Sequence, residues 1–279
     1  MGAIEKGRGE EERVTPKSVR MSDLTFDPTL FETMKTGKLI DDLLSADGGF
    51  PRSTNFMLVG DPGVGKSTVS MDILSDLKNN GASVLFISGE MDRVDLYGYV
   101  KRYPKFGNLD ILFLGEYVDS NPKDIIEEML DRGYDVVLID SFVEVQDTVK
   151  EATKMTSNST EKWLIDLMRK HNSGSNTRGV YTSFLCIQQV TKEGVFVGSN
   201  KLKHNTTGML ELRFTPDGKR YAMFTKNRRG NVNVKLYYDL SSTGDVRYES
   251  EVKFSHSEVE DMAKQILSKD NPYNIIFDE

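Results

Sequence analysis

The stretch Gly60-Asp61-Pro62-Gly63-Val64-Gly65-Lys66-Ser67 decides the fold, because its spacing is G-x-x-x-x-G-K-S. Each residue type has a physical reason to stand there. Gly60, Gly63 and Gly65 permit positive φ and let backbone N–H groups approach phosphate oxygens with no Cβ in the way. Lys66 offers an ammonium to the β- and γ-phosphates, and the Ser67 hydroxyl can ligate Mg²⁺. The loop from Gly60 to Thr68, with Asp61, Pro62 and Val64 between the glycines, is the expected cradle for ATP and Mg²⁺.

The flanks support that reading over a glycine-rich surface turn. Asn55-Phe56-Met57-Leu58-Val59 is an apolar run of strand length just before the loop. After it, Val69, Ile73, Leu74 and Leu77 recur at helical spacing over residues 66–79, and Gly81 ends the pattern. Strand, glycine loop and helix aim the positive end of the helix at the phosphates.

Outward from this unit, residues 83–88, 110–114, 136–140 and 181–188 read as further buried strands. Helices are expected at 36–45, 94–102, 122–132 and 159–171, whereas 145–158 reads as a polar stretch. From Met209 the pattern changes to short strands at 209–214, 220–226 and 232–240, joined by turns and read as antiparallel hairpins. The fold class that results is α/β: a mostly parallel twisted sheet flanked by helices, with an antiparallel C-terminal extension. Residues 258–269 read as a terminal amphipathic helix. Residues 1–22 read as a loosely attached arm, and 24–31 as either a strand or turn covering the domain's edge or a segment docking on a neighbouring subunit.

Composition sets bounds. The 279 residues are 38% hydrophobic and 28% charged, with a net charge of −7, enough for one large domain and against a generally basic nucleic-acid coat. No apolar run is long enough for a membrane span and no hydrophobic leader opens the chain, so a cytoplasmic protein with no membrane partner is expected. The single cysteine, Cys186, rules out an internal disulfide and reads as a small core residue.

Two carboxylates join the loop. Asp140 closes an apolar strand expected beside the loop, where a carboxylate holds the Mg²⁺ water shell; the alternative is a cap for the next turn. Glu90, in Ser88-Gly89-Glu90, follows a strand placed next to the loop strand, where it can act as general base toward an attacking water; the alternative is a solvated side chain.

The order of this loop, Ser88-Gly89-Glu90, Val137-Leu138-Ile139-Asp140-Ser141, Gln189-Val190-Thr191-Lys192-Glu193-Gly194 and Lys226-Asn227-Arg228-Arg229-Gly230 resembles the ATPase core of the RadA (Sms) branch of the RecA superfamily. The resemblance spans roughly residues 36–240, and the last two motifs are its most specific parts. It implies a RecA-like P-loop NTPase core at 36–254, between an arm at 1–35 and a C-terminal helix and acidic tail at 255–279. It further implies an ATP hydrolase that forms a homo-oligomer, a hexameric ring or helical filament, on single-stranded DNA. Such proteins act in recombination, repair or replication beside other proteins of those processes and are related to DnaB-type helicases. Gln189 would sense the γ-phosphate; RadA proteins typically have His there, RecA and DnaB proteins Gln. Lys226 and Arg228 would complete a neighbour's nucleotide site in trans, although a Lys-Asn-Arg-Arg cluster by itself reads equally as a solvated turn or a nucleic-acid patch.

The family's DNA loops would fall at 146–158, with Lys150 and Lys154, and at 191–207, with Lys192, Lys201, Lys203 and His204. Phe196 is the aromatic available there to stack on a base. RadA proteins commonly carry a four-cysteine zinc module and a Lon-protease-like domain, neither of which this sequence contains, so it resembles a phage-encoded or otherwise minimal relative. The alternative function is a KaiC-like, ATP-driven protein switch without motor activity on DNA.

Overall fold

Period-two alternation divides the core into two layers. Phe56, Leu58 and Phe86 face one side of the central sheet, whereas Met57, Leu85, Ile87, Phe184 and Cys186 face the other. The computed structural model that shows this describes residues 18–188, 200–241 and 244–250. In chain order its elements begin with β1 (Thr33–Met34), α1 (Ile40–Leu44), β2 (Phe50–Pro51), β3 (Asn55–Gly60) and α2 (Lys66–Asn79). Next come β4 (Val84–Ser88), α3 (Arg93–Arg102), β5 (Ile111–Phe113), α4 (Pro122–Asp131), β6 (Val136–Asp140) and α5 (Phe142–Thr153). The last are α6 (Ser157–Asn172), β7 (Ser183–Ile187), α7 (Asn200–Asn205), β8 (Gly208–Phe214), β9 (Arg220–Asn227), β10 (Lys235–Leu240) and β11 (Val246–Ser250).

The main sheet runs β11-β10-β9-β8-β3-β7-β6-β4-β5. From β8 to β5 every pairing is parallel, and from β8 to β11 every pairing is antiparallel. The strands β3, β4, β6 and β7 are buried at every position, as strands covered on both faces must be. One layer of the core joins α1, α2 and α3 to the sheet and its antiparallel extension, through Ile40, Val69, Leu74 and Leu96. The other joins α4, α5 and α6, through Ile126, Leu130, Phe142, Val145, Val149, Leu164 and Met168. Cys186 is fully buried in this second layer, as its apolar neighbours suggest, and burial pushes its thiol well above the usual range.

An ion cluster ties the extension to α2. Lys38 Nζ lies 2.8 Å from Asp72, 2.9 Å from Asp76 and 2.5 Å from Asp245, and Lys105 pairs with the same three carboxylates. The two ammonium groups fill what would otherwise look like a cation site made of three aspartates.

Three expectations need correction. Residues 145–158 are not a polar stretch: α5 occupies most of them, with Phe142, Val145 and Val149 buried at helical spacing and Ser141 capping its start. The extension contains a further strand, β11. The strands that end in Glu90 and Asp140 do not adjoin β3, because β7 lies between β3 and β6 and β4 lies beyond β6. Of the strand or turn expected at residues 24–31, the structure shows the turn. A 3₁₀ turn spans Pro28–Phe31 and another precedes the segment at Met21–Asp23, with Leu24, Phe26 and Phe31 exposed. The helix expected at 258–269 lies outside the described residues.

Candidate active site

The loop between β3 and α2 closes over a cavity of about 500 Å³. Gly63 and Gly65 have φ of 74° and 102°, in the region that favours glycine. Gly60 differs from the expectation: its φ is ordinary, and its requirement is closeness, since a Cβ there would lie 2.2 Å from the carbonyl of Leu212. No side chain caps α2, so its first N–H groups are left for an anion. Lys66 spans the loop, its Nζ donating to the carbonyls of Gly60 at 2.9 Å and Asp61 at 3.1 Å. Burial lowers its pKa, an effect that Asp140, Asp61 and Glu90 oppose.

Although β6 is not beside β3, the site still converges. Helix α2 packs across β3, β7, β6 and β4, which carries Ser67 over to β6. There the Ser67 hydroxyl donates to Asp140 Oδ2 at 2.7 Å. Asp140 is 2% exposed, and burial pushes its pKa up to about 6, helped by Glu90 and opposed by Ser67 and Lys66. A buried carboxylate in contact with a hydroxyl, and short of countercharge, fits a divalent cation. Glu90 is exposed at the cavity rim, with its amide and that of Gly89 both bonded to the carbonyl of Asp140, at 3.3 and 2.8 Å. The structure thus brings Lys66, Ser67, Thr68, Glu90 and Asp140 together around one cavity.

Sequence reasoning missed part of the wall. Tyr99 and Arg102 line the cavity from α3, and Leu240 lines it from the end of β10. The i, i+3 spacing of Tyr99 and Arg102 just after Glu90 carries a faint signal, and Arg102 lies over the Tyr99 ring at 5.2 Å. Leu240 sits in an ordinary strand pattern and offers no local clue.

Lys226 and Arg228 lie at the opposite edge of the sheet. In the register, Leu212 of β8 faces Gly60, whereas Gly208 faces Phe56 and also faces Asn227 of β9. Both cations therefore sit by the start of β3, a strand's length away from their own phosphate loop. Lys226 donates to the carbonyls of Lys203 at 2.8 Å and His204 at 3.3 Å, and Arg228 to that of His204 at 3.3 Å. These carbonyls lie in the last turn of α7, so the two finger candidates and Lys203 share one patch. Burial lowers the pKa of Lys226, aided by Arg228 and Lys203. Lys150 pairs with Asp147 on α5 at 2.7 Å, and Lys154 ends that helix with φ of 57°. Gln189, Lys192 and the side chain of Lys201 lie outside the described residues.

Comparison with known proteins agrees with this geometry. The family described as "ATPase: KaiC" matches residues 34–108. The DNA repair protein RadA of Campylobacter jejuni is 26% identical over 200 residues, covering 71% of this chain and 42% of that protein. A KaiC-like protein of Pyrococcus horikoshii superposes with a TM-score of 0.56 at 17% identity, covering 78% of this chain and 99% of that one. The RadB recombinase superposes with a TM-score of 0.53 at 18% identity, covering 78% of this chain and all of that one (100%). These likenesses support an ATPase of the RecA superfamily. Its mostly parallel sheet with an antiparallel C-terminal extension is the RecA-like fold. The chain matches about two fifths of the length of its RadA relative, 42%.

Proposed function

We propose that this RecA-superfamily protein is a Mg²⁺-dependent ATPase of the RecA/RadA type that assembles head to tail and binds single-stranded DNA in recombination, repair or replication. The contact between Ser67 and Asp140 at 2.7 Å carries the reading of the site, because it joins the two expected metal ligands beneath the phosphate loop. Lys66 and the amides at the start of α2 bind the triphosphate. Ser67 and Asp140 would hold Mg²⁺, which supplies charge neutralisation on the phosphate oxygens. Glu90 takes a proton from the attacking water as its oxygen bonds to the γ-phosphorus and the bond to the β-phosphate oxygen breaks. Lys226 and Arg228 of the next copy stabilise the charge that develops on the transferred group. Their place at the far edge supports action in trans and hence an oligomer. Tyr99 and Arg102 offer a face and a charge to the nucleoside end.

DNA contacts fall to Lys203 and Lys154, which are exposed, and to Lys150, Lys192 and Lys201 with them. The match of residues 34–108 to the "ATPase: KaiC" family favours a second reading, a protein switch without DNA motor activity. Hydrolysis measured with and without single-stranded DNA separates the two. Turnover that rises on DNA, and disappears in Glu90→Gln while nucleotide binding persists, is the expected result. Turnover indifferent to DNA would favour the switch, and unchanged turnover in Glu90→Gln would remove the proposed base.

A further inference from the structure

The antiparallel extension does more than widen the sheet. Tyr238, 2% exposed on β10, donates its hydroxyl to the carbonyl of Val64 at 2.9 Å. Two residues on, and on the same face, Leu240 packs against Gly65 so closely that a Cβ there would lie 2.6 Å from Leu240 Cδ1. From β8, Arg213 Nη1 reaches Asp61 Oδ1 at 2.8 Å, and the amide of Phe214 donates to Asp61 Oδ2 at 3.1 Å. The phosphate loop is therefore gripped from outside at three of its residues, none of the gripping groups belonging to the loop motif.

Peptide planarity gives the contact its meaning. In a trans peptide the C=O of Val64 and the N–H of Gly65 point in opposite directions. A hydroxyl that holds the Val64 carbonyl outward must turn the Gly65 N–H inward, toward the phosphates.

We propose that Tyr238, supported by Arg213, is a positioning residue that pre-orients the phosphate loop for its ligand. The inference rests on the nucleotide reading of the cavity. Without the hydroxyl the Val64 peptide rotates more freely, and one anion-binding amide is no longer fixed before the ligand arrives.

Binding of a fluorescent N-methylanthraniloyl-ADP probe tests this, with pyrophosphate and adenosine as competitors. Tyr238→Phe keeps the ring and removes one hydrogen bond, so probe and pyrophosphate should each bind about fivefold more weakly. Adenosine competition should be unchanged. Arg213→Gln should show the same selective loss, which covers the case in which Tyr238→Phe folds poorly. A merely structural role would lower the melting temperature of the free protein and leave pyrophosphate competition within twofold, and that result overturns the proposal. An equal loss for adenosine and pyrophosphate overturns it too. Lys66→Ala serves as the control. If it binds the probe normally, the nucleotide reading falls and this inference with it. If it does not bind while Tyr238→Phe binds normally, this inference alone falls.

Discussion

The two edges of the central sheet are built on different plans. At the edge where β3 ends, the reactive groups are satisfied within the chain: Ser67 on Asp140, Lys66 on the loop carbonyls, Val64 on Tyr238. At the edge where β3 begins, Lys226 and Arg228 rest on the carbonyls that end α7, and among the described residues neither has a carboxylate partner. The first edge is a pocket and the second is a set of cations. Placing the cations of one copy over the pocket of the next makes a heterologous contact, which propagates as a ring or a helix. In the proposed assembly a motif alone would describe only half of such a site.

The largest expected effect comes from separating the halves. Arg228→Ala should fold and bind nucleotide but hydrolyse about 10³-fold more slowly. Mixed with Glu90→Gln, which keeps its cations and lacks its base, it should regain activity at mixed interfaces. No recovery on mixing would mean that the far edge serves something other than a neighbour's nucleotide.

A smaller effect probes the pocket edge by itself. The pKa of Asp140 is raised from 3.8 to about 6, so the folded state holds its proton more tightly than the unfolded chain. Stability must then fall as pH rises between those two values, leaving a penalty of up to about 3 kcal/mol above pH 6. Asp140→Asn removes that penalty. In the absence of Mg²⁺ and nucleotide the variant should melt higher than the parent at pH 7.5, with the difference vanishing near pH 4. It should also lose hydrolysis. Equal melting temperatures at pH 7.5 would show that the carboxylate is already compensated.

The smallest effect belongs to the cation edge. Lys203→Ala should weaken single-stranded DNA binding and flatten the slope of log affinity against log salt by about 0.7. An unchanged slope would move the DNA away from α7 and leave that patch to the fingers alone.

How far the sequence could be read follows the same division. The phosphate loop, its strand and α2 were legible because the glycines, the lysine and the helical period are all local; α2 spans Lys66–Asn79, as its periodicity predicts. Helix α5 was obscured because Gln146, Asp147, Thr148, Lys150 and Glu151 outnumber the three apolar residues that bury it. Sheet order was not legible either. A parallel strand carries no mark of its neighbours, and the reading put Asp140 and Glu90 beside β3, where the structure inserts β7. Tyr238 and Leu240 matter only because the chain returns to the loop 174 residues after Val64, and no spacing rule reaches across that separation.

Strand β9 runs from Arg220, paired with Phe214 at the pocket edge, to Asn227 at the cation edge. Its length makes it a lever of about 23 Å, with one end near its own phosphate loop and the other, in the proposed assembly, at a neighbour's nucleotide. A tilt of only about 5° at Arg220 displaces the far tip by about 2 Å, enough to make or break a hydrogen bond. Successive protomers would then be geared to one another through the stiffness of a single strand.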